Sequence, residues 1–168
     1  GIKYLSTGVE ALEDKYLHFL KRPYNTKTVK ETIERAAAKG FECFNADFIF
    51  DLPGQTIKEI EKAGLELINM GVDQVAAYPL FLFPYTELWK KTKEDNIKKP
   101  NLYRRKKMLG ILENIFYSSK YERTSVWAFT KESHPKYCSV TVPLYVGLGA
   151  SGGSYLGDIF YLNTFNVS

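Results

Sequence analysis

The segment Asn45-Ala46-Asp47-Phe48-Ile49-Phe50-Asp51 places two carboxylates inside an otherwise apolar run. Such continuous apolarity reads as a strand covered on both faces of a parallel sheet, where an ionised carboxylate is costly unless it is paired or hydrogen-bonded. Alternation assigns Asn45, Asp47, Ile49 and Asp51 to one face and Ala46, Phe48 and Phe50 to the other. A strand needs no polar row to fold, so the row favours a site at the strand's C-terminal end, where parallel sheets bind ligands. The plainer alternative is that Asn45 and Asp47 satisfy nearby backbone or cap a loop.

Glu10 also closes a strand, after Gly8-Val9, and Arg22 follows the next helical segment. Each alone is an ordinary surface charge. With Asp47 they make two carboxylates and one guanidinium on a single rim. A carboxylate accepts from the vicinal hydroxyls of a sugar, and the guanidinium fork matches an amino-acid carboxylate. Asp51-Leu52-Pro53-Gly54-Gln55-Thr56 is fully explained as a strand-to-helix turn with Thr56 as N-cap. The glycine-rich residues 147–153 have the freedom to cradle an anion, but lack the Lys-Ser/Thr pair of a phosphate loop and read equally as a turn. His18 and His134 have no Cys or carboxylate at ligand spacing, so no metal is assigned to them.

The elements that must position these residues alternate. Residues 3–9 read as a strand, 12–20 as a helical segment, and a second helix follows capping residues 25–28, with Thr28 and Glu31 as its capping box and Gly40 as its stop. Val29, Ile33, Ala36 and Ala37 form its inward face. Residues 44–52 are a strand, Thr56 and Glu59 a capping box opening a helix over 57–70, and residues 74–83 a third strand stopped by Pro84. Connections this short predict βαβ units on a parallel sheet. Beyond Pro84 the pattern becomes mixed, with helices over 87–94 and 102–118 and short strands over 123–129, 140–146 and 158–162. Three strands do not close a barrel. The expected fold is α/β. Over residues 1–97 the three strands are either one part of a barrel whose earlier strands lie upstream or a small open sheet, with Lys98-Lys99-Pro100 as the linker to a smaller mixed α+β region over 98–168.

The net charge of +4 comes largely from runs such as Arg104-Arg105-Lys106-Lys107. These read as solvated helix faces, and no aromatic-basic stripe points to nucleic acid. The 12 Tyr and 11 Phe are mostly core filling, with room for a surface that meets a large flat ligand. Two distant cysteines, Cys43 and Cys138, make neither a disulfide framework nor a metal cluster, which points to a reducing, cytoplasmic setting. No apolar run is long enough to span a membrane. Gly1 opens directly into a strand-like run, so the numbering is expected to begin inside a larger protein.

Ser6-Thr7-Gly8-Val9-Glu10-Ala11-Leu12, then Leu20-Lys21-Arg22, then Asn45 through Thr56, resemble oxygen-independent coproporphyrinogen III oxidase and its radical-SAM relatives in letters, order and spacing. Tyr121-Glu122 through Ala128-Phe129 and Val146-Gly147-Leu148-Gly149 resemble the family's weaker downstream blocks. Of the two sheet readings, the resemblance implies the first, the C-terminal portion of a partial (β/α) barrel over residues 1–97, with S-adenosyl-L-methionine on the strand ends. Asp47 and Glu10 would hold the ribose hydroxyls, Arg22 the methionyl carboxylate, and backbone near Phe81 the adenine. The chain departs from the family at Glu10, where Gln is usual, at Asp51, where Gly is usual, and at Ala46, where Ile is usual.

The resemblance also implies a [4Fe–4S] cluster held by a C-x3-C-x2-C loop. This chain has no such spacing, and the ligands are expected upstream of Gly1, making the chain a fragment inactive by itself. The implied activity of the complete protein is radical hydrogen abstraction from a porphyrin-related substrate, with flavodoxin or ferredoxin as electron donor. A haem chaperone of the same fold, or a haem-degrading enzyme, is the alternative. No catalytic residue is assigned.

Overall fold

The computed structural model describes residues 1–94, 101–136 and 142–166. The alternating first half forms β1 (Tyr4–Glu10), α1 (Asp14–Phe19), α2 (Thr26–Ala37), β2 (Cys43–Phe50), α3 (Ile57–Asn69) and β3 (Gln74–Pro79). There follow α4 (Glu87–Glu94), α5 (Leu102–Ser118), β4 (Tyr121–Arg123), β5 (Ala128–Lys131), β6 (Gly153–Tyr155) and β7 (Phe160–Leu162). One five-stranded sheet has the order β1-β2-β3-β5-β4. Its first three strands are parallel, as the βαβ pattern predicts, and β5 and β4 complete it antiparallel.

The two faces of β2 differ as alternation requires. Phe44, Ala46, Phe48 and Phe50 are buried in a core with Val29, Ile33, Ile60, Leu67, Val75, Met108, Leu112 and Phe116. Burying each large side chain contributes roughly 1.5–3 kcal/mol, so this face holds the sheet to its helices. α3 and α5 approach closely at Gly64, where a Cβ would lie 3.1 Å from Leu112 and Ile115 side-chain atoms.

The Thr56–Glu59 capping box forms in both directions and α3 ends before Gly71, whose φ is +77°. At α2 the cap is Asn25 rather than Thr28: Asn25 Oδ1 accepts from the Thr28 N–H at 3.0 Å, and Ala37 lies on the exposed side. The third strand pairs only to Pro79. The expected strand over 123–129 is instead a hairpin of β4 and β5. Arg123 closes its turn by donating to the Val126 carbonyl at 2.7 Å.

The chain divides into two compact units, Gly1–Lys136 and Tyr137–Ser168. The boundary expected near 95–100 therefore falls within the first unit, because β4 and β5 join its sheet and α5 its core. The Lys98-Lys99-Pro100 linker and Cys138 lie outside the described residues. In the second unit β6 and β7 pair antiparallel. Of the strand expected over 140–146, residues 140 and 141 lie outside the described residues, and only Tyr145 pairs, as a single bridge to Tyr155. Gly147 permits a close backbone approach, since a Cβ there would stand 2.3 Å from the Gly153 carbonyl oxygen. Asn163 Nδ2 donates to the carbonyls of Gly147 and Gly149, so the glycine-rich loop closes on its own chain. Among the described residues no helix is long and apolar enough to cross a membrane.

Candidate functional site

β1 and β2 run in register from Tyr4↔Cys43 to Gly8↔Asp47, then shift so that Glu10 stands opposite Phe48. Glu10 sits at φ +61°, and Asp51, just past β2, at +62°. Left-handed backbone costs a non-glycine residue on the order of 1–3 kcal/mol and concentrates at functional or tightly restrained positions. Both parallel strands thus finish on an acidic residue turned sharply out of the extended conformation.

The turn at Glu10 brings its carboxylate to Arg22. Lys21, at φ +54°, bends the chain after α1, and the Arg22 N–H donates to the Leu17 carbonyl at 2.9 Å. The Arg22 Nη2 then donates to Glu10 Oε1 at 2.7 Å. The Glu10 side chain is 13% accessible and that of Arg22 42%. Burial pushes the Glu10 carboxyl above its usual range; Arg22 opposes that shift and Asp47 adds to it. Tyr24 donates its hydroxyl to the Gly8 carbonyl at 3.0 Å from the same side. Glu10, Arg22 and Asp47, separated in sequence, are thereby brought to one rim.

Asp47 is oriented by a chain of donors that all point one way. Thr130 Oγ1 donates to Gln74 Oε1 (2.9 Å), and Gln74 Nε2 to Asn45 Oδ1 (3.1 Å). Asn45 Nδ2 donates to Ser6 Oγ and to Asp47 Oδ1, both at 2.9 Å, and Ser6 Oγ to Asp47 Oδ2 at 3.2 Å. Ser6, Asn45, Gln74 and Thr130 are register partners across four adjacent strands. The polar row read on β2 is therefore one link in a row that crosses the sheet. Each Asp47 oxygen accepts one of these bonds, and an ionised carboxylate has about four acceptor positions, which leaves capacity for a ligand's hydroxyls.

Phe81 lies beyond β3, 44% exposed, its ring 6.2 Å from those of Phe83 and Trp127. It belongs to an aromatic group formed by the segment after β3 and Trp127 of the β4–β5 turn, distinct from the charged trio.

Asp51 does not join the polar row. Its fully buried carboxylate is shared by Arg104 and Arg105 of α5, the latter at 3.0 Å. Arg104 also donates to the carbonyls of Leu52 and Gln55, and Arg105 to that of Leu80 at 3.1 Å. These two arginines are not part of a solvated face, although Lys106 and Lys107 are exposed. The signal for them was the spacing: position 104 extends the buried stripe Met108, Leu112, Phe116 by one turn. The roles of Ser6, Gln74 and Thr130 depend on which strands are neighbours, which local sequence does not state.

Cys43 lies at the opposite end of β2 from the rim, buried, its thiol pushed up to about 11 by burial, with Asp73 adding to the shift and Lys131 opposing it. His134 meets Asp73 Oδ1 at 3.0 Å through Nε2. Among the described residues no cluster of three or more His, Cys, Asp or Glu is placed to hold a metal.

Residues 1–67 match the family model of the Radical SAM superfamily. The chain is 26% identical to the "Heme chaperone HemW" of Bacillus subtilis over 97% of its own length and 44% of the relative's. It is 20% identical to the "Oxygen-independent coproporphyrinogen III oxidase" of Cereibacter sphaeroides over 98% of its own length and 39% of that protein's. Among solved structures, the coproporphyrinogen III oxidase HemN of Escherichia coli superposes with a TM-score of 0.80 at 18% identity, covering 99% of this chain and 42% of the other. At that identity the likeness shows the fold: a parallel-rich α/β sheet of the radical-SAM type. The chain spans less than half the length of each of these proteins.

Proposed function

We propose that this chain, whose residues 1–67 match the Radical SAM superfamily, forms the S-adenosylmethionine-binding rim of a haem- or porphyrin-handling protein. The observation that carries the reading is the gathering of Glu10, Arg22 and Asp47 on one rim, with Arg22 reaching Glu10 at 2.7 Å. Asp47 takes the ribose hydroxyls on the acceptor positions that Ser6 and Asn45 leave free. Arg22 takes the methionyl carboxylate, and the backbone near Phe81 the adenine. When bound and reductively cleaved, the cofactor supplies a 5′-deoxyadenosyl radical. The residues of this chain bind and orient it.

The iron–sulfur cluster is a different matter. It needs three thiolates, and the chain has two cysteines, of which Cys43 is buried away from the rim. These residues do not fit a cluster, and its ligands would have to come from elsewhere in the intact polypeptide.

Two activities compete for the intact protein. Haem delivery is favoured by the higher identity to the Bacillus relative, over nearly the whole chain. Coproporphyrinogen oxidation is supported by the likeness to the Cereibacter enzyme. The exposed Phe81 and Phe83, with the partly buried Trp127 behind Phe81, offer apolar ring surface to a tetrapyrrole under either reading. A cytoplasmic setting and a flavodoxin or ferredoxin donor accompany the catalytic reading.

Anaerobic reconstitution of the full-length protein tests both. Tight haem binding without 5′-deoxyadenosine release supports delivery; release coupled to decarboxylation of coproporphyrinogen III supports the oxidase. Absence of S-adenosylmethionine binding under these conditions sinks the proposal.

A further inference from the structure

Glu10 is enclosed by ionisable groups from every element around it: Arg22 and Tyr24 from the segment between α1 and α2, and Asp47 from β2. Two carboxylates face one guanidinium. Gly8 leaves the space in which the Glu10 carboxylate sits, and Arg22 is the only cation among these groups. A ligand carboxylate laid on Arg22 would be a third carboxylate competing for a single guanidinium, in a place where the Glu10 side chain is already largely withdrawn from water. Unlike charges at such a site are worth much more than at the surface, and so are like ones.

We infer that Glu10 is an internal carboxylate that holds Arg22 in the free protein, and that an amino-acid carboxylate of the ligand takes Arg22 over while Glu10 takes up one proton. The inference rests on the reading of this rim as an S-adenosylmethionine site. The charge balances: the ligand carboxylate stays ionised and replaces the Glu10 anion as the partner of Arg22, and the proton comes from solvent. Burial and Asp47 raise the Glu10 pKa and Arg22 opposes them, so drawing Arg22 away raises it further. Protonated Glu10 then has a hydroxyl to donate, to a ligand oxygen or to Asp47. A site so built discriminates between nucleoside ligands by whether they bring an amino-acid carboxylate, and it binds such ligands more tightly as pH falls.

Isothermal titration of the full-length protein, in buffers of different ionisation enthalpy between about pH 6 and 8, reads both affinity and protons exchanged. S-adenosyl-L-methionine should bind the native protein with net proton uptake and lose up to about tenfold in affinity per pH unit as pH rises. Glu10→Gln, which is isosteric and can donate at any pH, should bind it with no such uptake. 5′-Methylthioadenosine, which lacks the amino-acid moiety, should bind both proteins without the Glu10-linked proton. The amino group of the ligand titrates alike in both proteins and cancels in the comparison. Equal proton uptake by native and Glu10→Gln protein overturns the inference while leaving the site reading intact. Failure of both proteins to bind S-adenosyl-L-methionine overturns the site reading, and the inference with it.

Discussion

Gly8 makes room for Glu10: a Cβ on residue 8 would stand 2.7 Å from Glu10 Oε1. That contact is with the end of a flexible side chain, so the chain can fold with alanine there by moving the carboxylate. Gly8→Ala is expected to change stability by less than about 1 kcal/mol. Displacing the Glu10–Arg22 hydrogen bond should shift S-adenosylmethionine affinity by about fivefold or more. Chemical denaturation and titration calorimetry measure the two separately, and a large loss of stability with unchanged affinity would contradict this account.

Asp51 tests the opposite case, an acidic residue whose work is structural. Its carboxylate is fully buried and serves two arginines, themselves 35% and 20% accessible. Asp51→Ala should therefore lose about 2–4 kcal/mol, somewhat below a fully buried pair. Asp51→Gly should lose about 1 kcal/mol less than Asp51→Ala, because glycine adopts φ +62° freely. Urea unfolding of the two variants decides it; equal losses would mean that the backbone at 51 is unstrained.

The N-terminus of α3 should carry an acid-sensitive part of the stability. Burial pushes the Glu59 carboxyl up, but the Lys15 ammonium, the Thr56 N–H and hydroxyl, and the Tyr16 hydroxyl outweigh it and bring it down to about 2. A depressed carboxyl stabilises above its unfolded value near 4.5, and that contribution fades as pH falls towards about 2. Glu59→Gln should flatten the stability profile in that window and remove about 1 kcal/mol at neutral pH. Unfolding curves at stepped pH give the comparison; an unchanged acid limb would refute it.

Thr130 is the far end of the donor chain that terminates on Asp47. Thr130→Val leaves Gln74 Oε1 without its donor and frees both buried amides to reverse, which would turn Asn45 Oδ1 towards Asp47. A loss of about 1 kcal/mol in stability is expected. A several-fold weaker affinity for S-adenosylmethionine should accompany it, and Thr130→Ser should restore both. Affinity unmoved by Thr130→Val would show that Asp47 is oriented by Ser6 and Asn45 alone.

The parallel half of the fold was legible because its signals are local. Apolar runs of strand length, the Thr56–Glu59 box and the glycines at 40 and 71 each act within a few residues of themselves. The hairpin of β4 and β5 was hidden because its turn, Thr124-Ser125-Val126-Trp127, carries β-forming residues and no Gly, Pro or Asn. What closes it is the Arg123 guanidinium on the Val126 carbonyl three residues on, and what places it is the long-range pairing of β5 with β3, neither of which a turn residue announces. The charged trio could be proposed from strand ends, but the left-handed turn that aims Glu10 at Arg22 has no signature in an acidic residue. Nor does sequence tell which of two neighbouring aspartates, 47 or 51, joins the polar row at the rim and which faces arginine. That depends on a helix that follows more than fifty residues later.

That separation has a kinetic consequence. The pairing of β1, β2 and β3 uses elements completed by residue 79. The clamp on the β2 turn and on the Leu80 carbonyl waits for Arg104 and Arg105. Contacts so distant along the chain form late, since loop closure must precede their reward. On a ribosome the three parallel strands would emerge before the helix that clamps the β2 turn. Ligand capture by a nascent or refolding chain would then mark the arrival of α5 rather than the formation of the sheet.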